Sequence, residues 1–316
     1  MKFAITGGAG FIGGALTKKL NSMGHSVRIL TRGSGRKSAD PQVEYITAKY
    51  TDVDSLANAL EGCDGVFHLA AAIFAFNYKE FEAANVLTTR NLVDAAAKTN
   101  SVKYFTYMSS QAAGGYSADL EHIRTEDDKP KPASDYGRTK LGGENAVESL
   151  PARIKKIIFR PPIVYGKNDS GVSKIADWVK MGIMVNTSKG DAYFNFIHVD
   201  DLVNAIVKPI EDESLFGGIY YVCENKPYNW KFFIYSMADA MKVKRPFMFT
   251  APLFVLHIVA FLYEIIAKLF NIAPALNYDK VKEASIKGHW VSSSKKWIDR
   301  TGQQFTSLED GLRKSF

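Results

Sequence analysis

Three glycines, Gly7, Gly10 and Gly13, stand three residues apart in "MKFAITGGAGFIGGALTKKL", between an apolar run and a helical pattern. No other stretch constrains the chain as much. A glycine just after a strand takes the positive φ of a sharp turn at little steric cost. A second lets the backbone approach a diphosphate, whose charge would rest on the N-terminus of the helix that follows. A third lets that helix pack closely on the strand. A tight turn alone would need only the first, whereas glycines so spaced at a strand-to-helix junction form the dinucleotide fingerprint.

The rest of the first half has the periodicity to support such a site. Short β-rich runs at 2–6, 26–30, 44–46, 65–69, 104–108 and 156–159 alternate with helical patterns at 11–23, 53–60, 80–99 and 136–149. Crossovers of that length imply a parallel sheet covered on both faces, a doubly wound α/β fold. Pro161, Pro162 and Gly166 mark a junction, after which the pattern becomes irregular and more aromatic. The expected division is a dinucleotide-binding domain over 1–165, completed by one or two elements from 190–225. A smaller, mostly helical substrate lobe follows over 166–316.

Composition narrows the partners. With 46% hydrophobic and 23% charged residues the chain reads as an ordinary globular protein. Its two cysteines, Cys63 and Cys223, form neither a disulfide framework nor a CxxC pair, which points to a reducing, cytoplasmic setting without a metal site. The opening apolar run leads directly into the glycines as a first strand would, not as a signal peptide. The net charge of +7 is spread over small clusters rather than a basic stripe interleaved with aromatics, so nucleic acid is not expected.

The end of the second strand reads "VRILTRGSGRK". A carboxylate there would bind the ribose 2′-hydroxyl of NAD. Thr31 occupies that place and Arg32 follows, with Arg36 and Lys37 nearby. A guanidinium suits a 2′-phosphate, so NADP(H) is expected over NAD(H).

Tyr136 and Lys140 in "DYGRTKLGGE" share one helical face at i,i+4. The same YxxxK spacing occurs at Tyr45/Lys49, in an apparent strand, and at Tyr278/Lys282, far into the second half. Only Tyr136 follows a strand, "YMSSQAAGG", whose C-terminal end presents Ser109 and Ser110. A phenol titrates near pH 10, and a neighbouring ammonium lowers that value. The expected roles are proton exchange for Tyr136, electrostatic activation and a ribose contact for Lys140, and polarisation of a carbonyl for Ser110.

Together these stretches resemble the extended short-chain dehydrogenase/reductases, also described as the NAD-dependent epimerase/dehydratase superfamily. The resemblance runs through "TGGAGFIGGAL", "GCDGVFHLAAA", "AANVLTTRNLVDAA", "YMSSQAA", "FRPPIVYGK" and "FNFIHVDDLVNAI", and "SLEDGLRKSF" is similar to the family's usual ending. It implies a Rossmann-type sheet and a Ser-Tyr-Lys oxidoreductase. Gly7, Gly10, Phe11 and Ile12 would form the diphosphate loop, and Ala70 and Ala71 the strand end beside the ribose. Asn85 would support the active-site backbone, and Pro161 to Val164 would lie beside the nicotinamide. The resemblance also selects Ser110 over Ser109 and implies a homodimer through helices 80–99 and 136–149. Where the third strand of the family ends in Gly-Asp, this chain has Ala48-Lys49, so its adenine contact must differ from the family's.

Sugar-nucleotide enzymes of the family generally carry an asparagine after the arginine of the sixth strand. Pro161 stands there, a pattern closer to the hydroxysteroid dehydrogenase and dihydroflavonol reductase branch. That branch implies a small apolar ketone or alcohol as substrate. A nucleotide-sugar epimerase or dehydratase is the alternative, and a non-catalytic NADP-binding sensor or assembly subunit is a second. Residues 252–270, "PLFVLHIVAFLYEIIAKLF", form a wide apolar face with a stripe of His257, Glu264 and Lys268. Such a helix covers an apolar pocket, packs in the lobe core or makes a peripheral membrane contact.

Overall fold

The computed structural model describes residues 1–33, 38–186, 192–269 and 278–316. Its first half runs β1 (Lys2–Thr6), α1 (Phe11–Ser22), β2 (Ser26–Thr31), β3 (Val43–Thr47), α2 (Val53–Leu60) and β4 (Gly65–His68). Then α3 (Tyr78–Glu82) passes through one π turn, Ala83–Leu87, into α4 (Thr88–Lys98). The half closes with β5 (Tyr104–Met108), α5 (Gln111–Gly114), α6 (Asp135–Glu148) and β6 (Lys155–Arg160).

The second half continues with β7 (Ile163–Tyr165), α7 (Ser170–Lys180), β8 (Ile183–Asn186), β9 (Tyr193–Phe194), β10 (Phe196–His198) and α8 (Val199–Glu211). After β11 (Ile219–Tyr221) come β12 (Tyr228–Asn229), α9 (Trp230–Ala240), β13 (Phe247–Thr250), α10 (Leu253–Leu269), α11 (Tyr278–Ala284), α12 (Lys295–Thr301) and α13 (Leu308–Ser315).

Seven parallel strands form the central sheet in the order β11-β6-β5-β4-β1-β2-β3. The doubly wound fold expected from the alternation is the one observed. The chain leaves β1 toward β2 and β3, then returns to lay β4, β5 and β6 on the other side. The switch point therefore lies between β1 and β4, where open α/β sheets bind ligands at their C-terminal edge. Alternate side chains of β1 serve both faces: Phe3 and Ile5 pack with α1 and α8, and Ala4 packs with α2 and α4. The edge strand β11 comes from the second half and pairs with β6.

A third core holds the lobe together. Phe196 stacks on Phe233 at 4.6 Å between ring centres, joined by Tyr165 of β7, Val179 of α7, Met237 of α9 and Leu312 of α13.

Helix α10 corrects two of its expected placements. It is not a buried lobe helix, because Phe254, Ile258, Phe261, Leu262 and Ile265 are all exposed. Nor, among the described residues, does it line the cavity beside Tyr136. Its polar stripe is turned the other way: His257 and Glu264 are half-buried on the side where Ala260 is fully buried.

Candidate active site

The glycine turn opens a cleft of about 620 Å³ over the ends of β1, β2 and β4. Gly7 has φ +72°, and a Cβ there would stand 2.9 Å from the Ala70 nitrogen. A Cβ at Gly13 would come within 2.2 Å of the Gly7 carbonyl oxygen, so only glycine lets α1 sit this close to the turn. Helix α1 starts after Gly10 with no side-chain cap, which leaves its first N–H groups for an anionic ligand. Open backbone, an uncapped helix end and a cleft of this size fit a dinucleotide.

A chain of buried hydrogen bonds sets the floor of the cleft. Burial holds the His68 imidazole neutral, its pKa pushed down to about 3, and the Lys140 ammonium lowers it further. The Thr89 hydroxyl donates to the Asn85 carbonyl at 2.7 Å, so it accepts from His68 Nε2 at 2.8 Å. Nδ1 of a neutral ring with Nε2 protonated is an acceptor, and it takes the Thr6 hydroxyl at 2.7 Å. Thr6 Oγ1 in turn accepts the Ala70 N–H at 3.1 Å. β1, β4 and α4 are thus tied together under Ala70 and Ala71, both of which line the cleft.

Asn85 is 1% exposed and works through the backbone. Its Oδ1 accepts the Ala72 N–H at 2.8 Å, while Nδ2 donates to the Ala72 carbonyl at 3.0 Å and to Thr139 Oγ1 at 3.1 Å. It lies in the π turn, a device that recurs at functional sites. Rather than touching the cleft itself, it clamps the loop after β4 to α6.

Other expected residues divide. Gly10, Thr31 and Arg32 line the cleft, whereas Arg36 and Lys37 lie outside the described residues. Lys49 does not line it; the next residue, Tyr50, does, with its hydroxyl donating to the Leu30 carbonyl at 3.0 Å. The Ile12 side chain packs into the core. Phe11 faces a second cleft, between α1 and α8.

Ser110 and Tyr136 share a neighbouring cavity of about 480 Å³. Ser110 follows β5 and caps α5, its Oγ accepting the Ala112 N–H at 3.2 Å. Tyr136 lies in the first turn of α6, which Ser134 caps by accepting the Gly137 N–H at 3.0 Å. Pro162 and Ile163 line this cavity in place of Pro161 and Val164. Pro161 is buried, its carbonyl accepting the Gln111 N–H at 2.9 Å, and Val164 packs into the core.

Lys140 is 1% exposed and lines neither cavity. Its ammonium donates to the Met108 carbonyl at 2.7 Å and lies 4.3 Å from the Tyr107 ring centre. Burial pulls its pKa down to about 7, opposed by the Glu144 carboxylate.

A buried pair beneath Ser110 carried no assigned role in the sequence. Arg160 grips Glu144 with two bonds, Nε to Oε1 at 2.8 Å and Nη2 to Oε2 at 2.7 Å. Ser109 donates its hydroxyl to Glu144 Oε1 at 2.5 Å, which turns it away from the cavity and leaves that place to Ser110. Both Glu144 and Arg160 fall inside the motifs quoted above, yet nothing local marks them as a buried pair. Asp279 and Glu283 of α11 also escaped the sequence reading. Asp279 accepts the N–H groups of Asp135 and Tyr136, and Glu283 accepts the Ser134 hydroxyl at 2.5 Å.

Known proteins resemble this chain in sequence and in fold. The chain is 34% identical to the uncharacterized protein y4nG of Sinorhizobium fredii over 64% of its own length and 52% of that protein's, so it spans about half of that relative. It is 27% identical to a protein of Mycobacterium tuberculosis named 3 beta-hydroxysteroid dehydrogenase/Delta 5→4-isomerase, over 77% of this chain and 70% of that one. The fold superposes on human epimerase family protein SDR39U1, solved with NADPH, with a TM-score of 0.79 at 20% identity over 100% of this chain and 99% of that one. The profile of the NAD dependent epimerase/dehydratase family matches residues 3–223. The chain belongs to that family, the extended short-chain dehydrogenase/reductases, whose members are NAD(P)-dependent oxidoreductases and epimerases.

Proposed function

We propose that this chain is an NADP(H)-dependent oxidoreductase acting on the carbonyl or alcohol of a small apolar substrate held against Ser110 and Tyr136. The observation that carries the reading is the wall of their cavity. Ile73, Phe74, Pro162, Ile163, Trp230 and Trp290 surround the two hydroxyls, and among the described residues no lysine or arginine lines it. A sugar nucleotide brings a diphosphate, which such a wall leaves without a cation. An apolar carbonyl compound gains contact area and two hydrogen-bond donors. The relative named as a hydroxysteroid dehydrogenase supports the same substrate class.

Residues 1–165 would hold the dinucleotide and residues 166–316 the substrate, with Arg32 on the 2′-phosphate. A nicotinamide bound there would supply or take up the hydride. In carbonyl reduction Tyr136 gives its phenolic proton to the substrate oxygen. Ser110 donates a hydrogen bond to that oxygen as negative charge gathers there. Lys140, fixed by the Met108 carbonyl, favours the phenolate left behind. Alcohol oxidation runs the same transfers in reverse. A cytoplasmic homodimer is the state in which we place this activity.

The test is NADPH consumption with a panel of aliphatic and polycyclic ketones, alongside UDP-sugars. Turnover of a ketone and none of the sugars is expected. Epimerisation of a sugar nucleotide would overturn the reading, and cofactor binding with no turnover of any carbonyl would favour the sensor.

A further inference from the structure

We propose that the outer face of the lobe, formed by α10, β13 and the end of α7, docks on the surface of an anionic lipid bilayer. The inference goes beyond the redox reading and holds whatever reaction the cavity performs.

Helix α10 is packed inside out. Successive residues step by about 100° around an α-helix. The exposed residues Phe254, Ile258, Val259, Phe261, Leu262, Tyr263 and Ile265 therefore sweep about 200° of its circumference. Among the residues whose side chains are described, the remaining arc holds Ala260, fully buried against Val281 of α11, with half-buried Glu264 and His257 about 40° and 60° to one side of it. A surface helix of a soluble domain does the opposite, turning its apolar arc inward.

The apolar face continues beyond the helix. Val185 and Ala251 pack on the Ala260–Val281 contact and so join β8 and the end of β13 to α10. On those strands Ile183 and its partner Phe247 are exposed, as is Phe249. Trp178 and Met181 extend the patch onto α7. Lone exposed apolar residues need no explanation, but a contiguous face of this extent marks an interaction surface.

Charge selects the occupant. Within residues 170–186 and 239–265, Lys174, Lys180, Lys242, Lys244 and Arg245 stand against Asp177, Asp239 and Glu264, with Asp177 paired to Lys180 and Asp239 to Arg245. Lys174, Trp178 and Met181 share one face of α7 at i, i+4 and i+7. Lys174, Lys242 and Lys244 are exposed and form no ion pair with a described residue. A second copy of this chain would oppose like-charged rims across a twofold axis. Anionic headgroups complement the rim while the aromatic and aliphatic side chains enter the acyl boundary. Among the described residues no helix is long and apolar enough to cross a membrane.

The experiment is flotation of the full chain with phosphatidylcholine vesicles, with and without about 30% phosphatidylglycerol, over a range of salt. The anionic vesicles are expected to carry the protein, and salt to weaken the binding. Phe254→Asp/Phe261→Asp is expected to reduce the bound fraction about tenfold or more, with dinucleotide affinity and thermal unfolding unchanged, since both side chains are exposed. Trp178 provides a readout that needs no change to α10. Brominated lipid should quench it, and the Trp178→Phe protein should lose that quenching. Failure of the wild-type chain to bind either vesicle, or equal binding by the double variant, would overturn the proposal. So would a dimer that the double variant dissociates in the absence of any vesicle binding. None of these results depends on turnover, so they leave the redox reading to its own test.

Discussion

Asp279 Oδ2 accepts the backbone N–H of Tyr136 at 3.1 Å, and its other oxygen accepts that of Asp135 at 2.8 Å. A carboxylate from α11 thus caps the first turn of the helix that carries the phenol, where a negative charge also meets the positive end of the helix dipole. Asp279→Ala should cost about 1 kcal/mol of stability. It should lower kcat more than it raises KM for the dinucleotide, because the loss falls on the placement of Tyr136. Asp279→Asn, which keeps an acceptor oxygen, should recover part of the turnover. Steady-state kinetics beside denaturant unfolding checks this, and an unchanged kcat in Asp279→Ala contradicts it.

The Glu144–Arg160 pair lies out of water, with both side chains 3% exposed or less. Removing one partner leaves the other charge buried alone. Glu144→Ala should therefore destabilise the fold by about 3–5 kcal/mol, measured by chemical denaturation. It would also release Ser109, whose hydroxyl Glu144 now holds. A loss under about 1 kcal/mol, the size of a surface pair, would show that water reaches the site.

Much of the sheet is legible because its inner strands are buried on both faces and read as short apolar runs. β1 and β5 appear in the sequence with the bounds that the structure has. The spacing of Tyr136 after a serine-ended strand also anticipates that the two share a cavity. What escapes is whatever depends on one residue of register or on distance along the chain. Tyr50 rather than Lys49 meets the cleft, and Pro162 and Ile163 rather than Pro161 and Val164 meet the cavity, at turns and strand ends where no periodicity in the sequence fixes which side chain faces the site. Glu144 and Arg160 look like surface charges until the fold buries them together. Asp279 is separated from Tyr136 by 143 residues, and no local pattern links them. In α10 the periodicity reveals two faces but not which one meets the protein.

Lys140 links stability to pH. Its folded pKa lies near 7, below its ordinary value of 10.5, because burial penalises the ammonium. Below about pH 7 both folded and unfolded chains hold the proton, and the full cost of burying it is felt. Between about pH 7 and about pH 10 the unfolded chain binds the extra proton, so stability rises with pH. Relative to Lys140→Met, the wild type should gain on the order of 1 kcal/mol per pH unit across that window. Urea unfolding of both proteins at pH 6, 8 and 9 measures the difference. Parallel stability curves would contradict a buried ammonium that titrates near neutrality.

Arg32 is exposed at the rim of the dinucleotide cleft, beyond the end of β2. Its guanidinium should hold a 2′-phosphate by charge-assisted hydrogen bonds. Arg32→Ala should then weaken NADPH binding about tenfold while leaving NADH nearly unchanged. Equal affinity of the wild-type chain for the two cofactors would contradict the assignment.

In the proposed reaction the Tyr136 phenol exchanges the proton with a carbonyl oxygen in the cavity it shares with Ser110. Single-turnover oxidation of NADPH by the wild type and by Tyr136→Phe, with the best ketone of the panel, tests it most directly. The rate in Tyr136→Phe should fall by at least about a hundredfold, with NADPH affinity retained. A rate within a factor of two of the wild type would contradict it.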